Sequence, residues 1–367
     1  MRPEKAEIDA RLDYYASLES MEGMAEAAGS PAGKKPERFA PAKLVHAVYP
    51  GVIAAATVGL AATWLSQHYG TPVMLFALLL GMAFHFLHEE GRCIAGIEFS
   101  SRAILRLGIA LLGARVTAGQ IASLGAAPIL TVLAGVATTI VFGAALGRRL
   151  GLGPYLGVLS GGAVAICGAS AALAISTSLP RYAMRERDTV LTVVGVTTLS
   201  TIAMIIYPLI VTALHLHDAS AGVFLGGAIH DVAQVVGAGY MISQETGDVA
   251  TYVKLLRVAM LIPVVLCIGF LLTRGTGPSP AARAPVPMFL IGFAGLVALN
   301  SLVAIPAALV SAATTASSWC LVTAIAALGM KTSFRDLMEV GWKPVGLMVA
   351  ETIWLAGLVL LAIRLTG

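Results

Sequence analysis

The chain has 367 residues, of which 57% are hydrophobic and only 12% charged, with a formal net charge of +4. A soluble domain carries about 25% charged residues, so a water-soluble globular fold is excluded by composition. The basic residues sit in loops between apolar runs, which is the placement of membrane topology signals and not of a nucleic-acid surface.

The first 43 residues stand apart, holding seven of the 24 Lys/Arg and eight of the 20 Asp/Glu. They contain no apolar core of a signal peptide. Ile8, Leu12 and Tyr15 recur at helical spacing in EIDARLDYYASLES, which predicts a short amphipathic helix, and AGSPAGKKPERFAPAK reads as a basic linker. Two domains are therefore expected: a cytoplasmic amphipathic and linker extension over 1–43, and a membrane transporter domain over 44–367.

Eleven apolar runs follow, each approaching the roughly 20 residues needed to cross a bilayer as helix. They cover 45–66, 71–88, 101–116, 127–147, 154–178, 188–213, 220–243, 251–273, 286–303, 305–330 and 344–365. The fold class is an all-α integral membrane protein. Lys34, Lys35, Arg38 and Lys43 place the N-terminus in the cytoplasm by the positive-inside rule. Eleven spans then put four further Lys/Arg-bearing loops inside, but leave Arg181, Arg185 and Arg187 outside. The conflict vanishes if the Gly-rich fifth and seventh segments are re-entrant; eleven full spans are preferred on account of an internal repeat.

That repeat pairs ILRLGIALL (104–112) with LLRVAMLIP (255–263), and AALAISTSL (171–179) with AALGMKTSF (326–334). It predicts inverted five-helix repeats, segments 2–6 and 7–11, with broken or re-entrant helices. A rival pairing matches Gly113, Gly125 and Pro128 with Gly329, Gly341 and Pro344. Either is inverted, because both displace the chain by an odd number of segments.

The chemistry concentrates in three segments. Segment five reads GVLSGGAVAICGASAALAIST, where Ser160, Gly161, Gly162, Gly168 and Ser170 permit close packing or a helix break whose free N–H groups face an anion. Segment seven reads GVFLGGAIHDVAQVVGAGYMI. Its His230 and Asp231 form an ionisable pair that is costly inside a membrane and therefore a functional-site hypothesis, with Gln234 four residues on along the face of His230 and a structural hydrogen-bonding cluster as the alternative. Segment ten offers Thr314, Thr315, Ser317 and Ser318, which either face a ligand or bond to their own backbone. Arg106 and Arg257 occupy matching repeat positions, and either snorkel to the interface or face a cavity. Four scattered cysteines suggest free thiols, and the absence of metal spacing or a GxxxxGK[ST] loop leaves no metal, cofactor or ATP expected.

The runs LRLGIALLGARVT, SGGAVAICGASAAL, GGAIHDVAQVVGAG and KLLRVAMLIP resemble the bacterial YeiH family of proposed sulfate exporters, over about 45–367. The wider resemblance is to transporters with two inverted repeats, such as the bile-acid sodium symporters and cation/proton antiporters. It implies that segment five is a crossing helix and, through the repeat, that segment ten is its partner. The function so implied is secondary transport of a small sulfate-like anion in the cell membrane by alternating access. Gly161, Gly162, Gly168 and Ser170 would form the break, and the segment-ten hydroxyls would lie opposite. His230, Asp231 and Gln234 would couple transport to protons or sodium. Transporters of this fold are often homodimers. A channel, a membrane-embedded enzyme and a non-transporting scaffold are the competing classes; no H-E-x-x-H or G-x-S-x-G in a suitable context supports the enzyme.

Overall fold

A computed structural model describes residues 41–332 and 342–366, apart from 70–71, 90, 115, 118, 120–121, 123–124, 154, 181, 183, 273–287 and 304. The predicted N-terminal amphipathic helix lies outside these residues. The described chain is helical throughout, in this order: α1 (Pro41–Tyr69), α2 (Val73–Ala83), α3 (Phe86–Glu89), α4 (Ile94–Phe99), a π turn (Ser100–Ile104), α5 (Leu105–Leu112) and α6 (Ala127–Arg149). Then come α7 (Leu156–Ala165), α8 (Ala169–Ser178), α9 (Arg185–Ala213), α10 (Asp218–Ala228), α11 (Val232–Ile242) and α12 (Gln244–Ala259). The remainder is α13 (Leu261–Leu272), α14 (Met288–Leu302), α15 (Ala307–Lys331) and α16 (Trp342–Thr366). All eleven predicted segments are present. Six stretches, including α6, most of α9 and α15, are long and apolar enough to cross a membrane.

The fifth and seventh segments are not single spans. Each is a pair of short helices that folds back on itself. Drawn out as one helix, segment seven would hold Asp218 and Ser243 about 37 Å apart, at 1.5 Å per residue. Instead the Ser243 hydroxyl donates to Asp218 Oδ1 at 2.7 Å, and Thr246 Oγ1 donates to the same oxygen at 2.7 Å. Segment five closes likewise, because the rings of Tyr155 and Tyr182, at its two ends, lie 5.1 Å apart. Glycines allow the arms to touch. Gly162 of α7 packs on Ile175 of the returning α8, while Gly226 and Gly239 of α10 and α11 both lie against Ala250 of α12.

The hairpins enter from opposite ends of the fold. The 29-residue α9 joins them and is about 43 Å long. The α7–α8 hairpin opens at the start of α9, and the α10–α11 hairpin opens at its end. Arg148 and Arg149 therefore share one face with Arg185 and Arg187, which resolves the loop-charge conflict. The preferred reading of eleven full spans is replaced by one in which segments five and seven are re-entrant hairpins. The repeat also changes its pairing: α15, the tenth segment, is one unbroken 25-residue helix packed on α2 and α5. The hairpin of segment five has its counterpart in segment seven.

All four cysteines are free, with Cys167 buried at the first hairpin tip and Cys267 exposed on α13. Beyond the C-terminal end of α2, an ionic cluster forms around the buried Glu98. Its carboxylate lies 2.9 Å from Lys331 Nζ, 3.0 Å from His88 Nε2 and 3.5 Å from Arg102 Nε, tying α3, α4 and the π turn to α15.

With the native cysteines replaced, single substitutions Arg149→Cys and Arg187→Cys should react with an impermeant maleimide from the same side of the membrane. His217→Cys and Glu245→Cys should react only from the other side. Labelling of positions 149 and 187 from opposite sides would remove the hairpin topology.

Candidate functional site

A helix end leaves four backbone carbonyls without partners, and inside a bilayer no water supplies them. At the end of α7 every one is accounted for. Gly162 O accepts from Ile166 N at 3.1 Å and Ala163 O from Gly168 N at 2.9 Å. Val164 O and Ala165 O accept from Arg257 Nη2 and Nε, both at 2.8 Å. The chain then turns through Ile166-Cys167-Gly168. Gly168 has φ +70°, the left-handed region that a side chain would strain, so this is the position where the break itself demands glycine.

The same arginine serves the second hairpin. Its Nη1 donates to Gly226 O at 3.1 Å, Gly227 O at 2.8 Å and Ile229 O at 2.9 Å. One turn earlier on α12, Lys254 Nζ donates to Ile166 O of the first tip at 2.8 Å and to Ile229 O of the second at 2.9 Å. Its third proton goes to His230 O. All three ammonium donors are thus met by carbonyls, and both side chains are fully buried. Two cations from one helix fasten the two hairpin tips together.

His230 bridges the tips a second time. Nδ1 lies 3.2 Å from Val164 O and Nε2 lies 3.0 Å from Thr352 Oγ1 of α16. A carbonyl only accepts, so the network assigns the ring proton to Nδ1 and makes Nε2 the acceptor in the neutral ring. The Thr352 hydroxyl also lies 2.7 Å from Met348 O, so its single proton has two acceptors. Asp231 caps α11, with Oδ1 accepting from Ala233 N at 2.8 Å, while its own N–H donates to Ser200 Oγ at 3.0 Å. Gln234 is buried, its Nε2 3.4 Å from Thr201 Oγ1 and its Oε1 without a partner.

The starts of the two returning arms differ. Asp231 caps α11, whereas Gly168 at the start of α8 has no side chain to offer; the Cys167 thiol meets the Ala171 N–H, and Ala169 and Ser170 are only half-buried. Arg106 of α5, partly exposed, lies within electrostatic reach of Asp231. The start of α8 at Gly168 thus lies near the backbone of His230, the residue before Asp231, and Arg106 reaches the tips through Asp231.

The predicted residues divide accordingly. Gly168, Ser170, His230, Asp231 and Arg257 come together at the tips, and Gln234 stands one turn along α11. Gly161 and Gly162 do not form the break: they sit within α7, against Thr139 of α6 and Ile175 of α8 respectively. Ser160 faces away from the tips and donates to Glu351 Oε1 at 2.7 Å. Among the described residues, the segment-ten hydroxyls make no hydrogen bond to either hairpin. Thr314 and Ser318 donate to carbonyls four residues back, Ser317 donates to Gly108 O, and Thr315 is exposed. Lys254 was missed. Its signal was its spacing of three from Arg257, which puts both cations on one face of an otherwise apolar run.

Arg257→Lys keeps the charge but loses the fork that reaches both hairpins. It should lower stability by about 2–4 kcal/mol, since each charge-assisted bond contributes about 1.5–3 kcal/mol. Thermal unfolding in detergent checks this, and an unchanged melting temperature would contradict the clasp.

A family model described as conserved hypothetical protein 698 matches residues 50–348. A UPF0324 membrane protein of Chlorobaculum tepidum is 54% identical over 316 residues, covering 85% of this chain and 88% of the relative. The UPF0324 membrane protein TauZ of Paracoccus denitrificans is 50% identical over 328 residues, covering 88% and 97%. One from Rhizobium meliloti is 49% identical over 321 residues, covering 87% and 93%. No solved structure matches.

Proposed function

The chain belongs to the conserved hypothetical protein 698 family, a family of membrane proteins, and on that premise we propose that it is a secondary transporter of a small anion. The observation that carries the reading is the pair of buried cations at the meeting point of the hairpins. Lys254 and Arg257 bring two positive charges, and each returning arm adds roughly half a charge at its N-terminus. Against these stand roughly half a negative charge at each of the α7 and α10 C-termini, and the carboxylate of Asp231. The balance is about +1 before Arg106 is counted. A cation would be repelled from such a centre, and a doubly charged oxyanion would be drawn to it.

The anion is received at the N-terminus of α8, by the amides of Ala169 and Ser170 and the Ser170 hydroxyl, with Arg106 facing it. Sulfate, or a sulfonate with the same tetrahedral oxygens, fits this donor set and agrees with the YeiH resemblance. Hairpins reaching the centre from opposite faces supply one gate to each side, as alternating access requires. The protein works in the cell membrane with its N-terminus and its Arg-rich loops in the cytoplasm. Transport is coupled to a proton or sodium gradient, and no chemical step is performed on the substrate.

Purified protein in liposomes, given labelled sulfate under imposed proton and sodium gradients, should show saturable accumulation that depends on one gradient. Arg106→Gln should raise KM for sulfate more than it lowers the maximal rate. Flux indifferent to both gradients would identify a channel, and no flux of sulfate or a simple sulfonate would remove the anion reading.

A further inference from the structure

Glu351 is fully buried near the middle of α16 and is not used by the anion site. Its Oε1 accepts the Ser160 hydroxyl at 2.7 Å, while Oε2 has no partner. Among the described residues, the elements packed on it offer no compensating charge. The face of α6 toward it presents Gly135, Thr139, Gly143 and Gly147, and α7 presents Gly157 and Ser160. The α9 surface toward α16 is apolar, with Gly195 and Leu199 against Met348. The titratable group on the hairpin side is His230, held by the adjacent Thr352. Lys254 and Arg257 are occupied by carbonyls at the tips. An isolated carboxylate in such a place is far more costly than the neutral acid.

Location gives this acid a use. Glu351 holds Ser160 on the first hairpin, and the next residue, Thr352, holds His230 on the second. A change of charge at position 351 would act on both gates at once. A metal cation needs several oxygens, and among the described residues the buried side-chain oxygens without a partner on these facing helices are Glu351 Oε2 and Thr139 Oγ1. A proton needs one.

We propose that Glu351 is the proton-binding residue that couples anion movement to the proton gradient, an assignment that rests on the transport reading above. In each cycle a proton from water forms an O–H bond at Oε2 on one side of the membrane. As it forms, the donor hydronium loses that proton's O–H bond; on the other side the Oε2–H bond breaks while a water molecule gains the proton, and no other bond changes.

The test pairs infrared spectroscopy with reconstitution, using the full chain, Glu351→Gln and Glu351→Asp. Gln keeps the oxygen that accepts from Ser160, and monodisperse elution with an unchanged melting temperature establishes that it folds. Wild type should show a protonated-carboxyl band at neutral pH, shifted in heavy water, missing in Glu351→Gln and restored in Glu351→Asp. In liposomes, Glu351→Gln should keep sulfate–sulfate exchange but lose proton-driven accumulation. No band assignable to position 351, or proton-driven accumulation retained in Glu351→Gln, overturns the proposal. If wild type moves no sulfate in either assay, the coupling role falls with the transport reading, and the band alone then decides whether Glu351 carries a proton.

Discussion

The fold depends on satisfying helix carbonyls where no water reaches. Two helices, α7 and α10, end in the interior of this membrane protein, and their last carbonyls converge on Lys254 and Arg257. Buried charges are costly alone, and broken helix ends are costly alone. Each here removes the other's cost. Because both cations lie on α12, the tips must meet beside that helix, and because α9 separates the hairpin mouths, they must arrive from opposite faces. Topology, the place of the polar centre and its sign follow from one set of hydrogen bonds.

The same set directs function. Carbonyls neutralise the donors of Lys254 and Arg257 geometrically but cancel only part of their charge, so the centre stays positive with one carboxylate, Asp231, at its border. The start of α8 beside Gly168 is where that field meets the amides of Ala169 and Ser170. Behind the tips, the glycine-lined contact of α6 with α7 and α16 encloses Glu351, a second polar centre of opposite character. Its link through Ser160 and Thr352 to both hairpins joins the two centres in one mechanical unit.

Much of this was legible in the sequence. The helical membrane fold and its apolar segments read correctly from composition, and the polar cluster of His230, Asp231 and Gln234 stood out within an apolar run, whereas the sequence pairs Arg257 with Arg106 and not with that cluster. Whether a 25-residue apolar run crosses or turns back is another matter, because a helical hairpin and a single span share length and hydropathy. Only the loop holding Arg181, Arg185 and Arg187 distinguished them, and the weak repeat matches argued the other way. A better repeat was present: Gly161-Gly162-Ala163-Val164 and Gly226-Gly227-Ala228-Ile229 precede the two tips at an offset of 65. It pairs segment five with segment seven. The roles of the paired glycines were also misjudged, since close contact and helix breaking ask for the same residue, and only Gly168 adopts a positive φ at a tip. Lys254 escaped notice, and Glu351 stood out only as a lone polar residue of segment eleven with no role, because an ionisable residue in a span shows its partner only once the helices are packed.

The central claim is that the meeting point of the hairpins is a positive site that binds an oxyanion. The most direct measurement follows the melting temperature of the purified chain along a sulfate series, against sodium chloride at equal ionic strength. Sulfate stabilises proteins in general by exclusion from their surface, a rise that does not saturate. Specific binding adds a component that levels off above the dissociation constant. The account predicts that saturable component in wild type and its loss in Arg106→Gln. A linear rise, identical in both proteins, would contradict it.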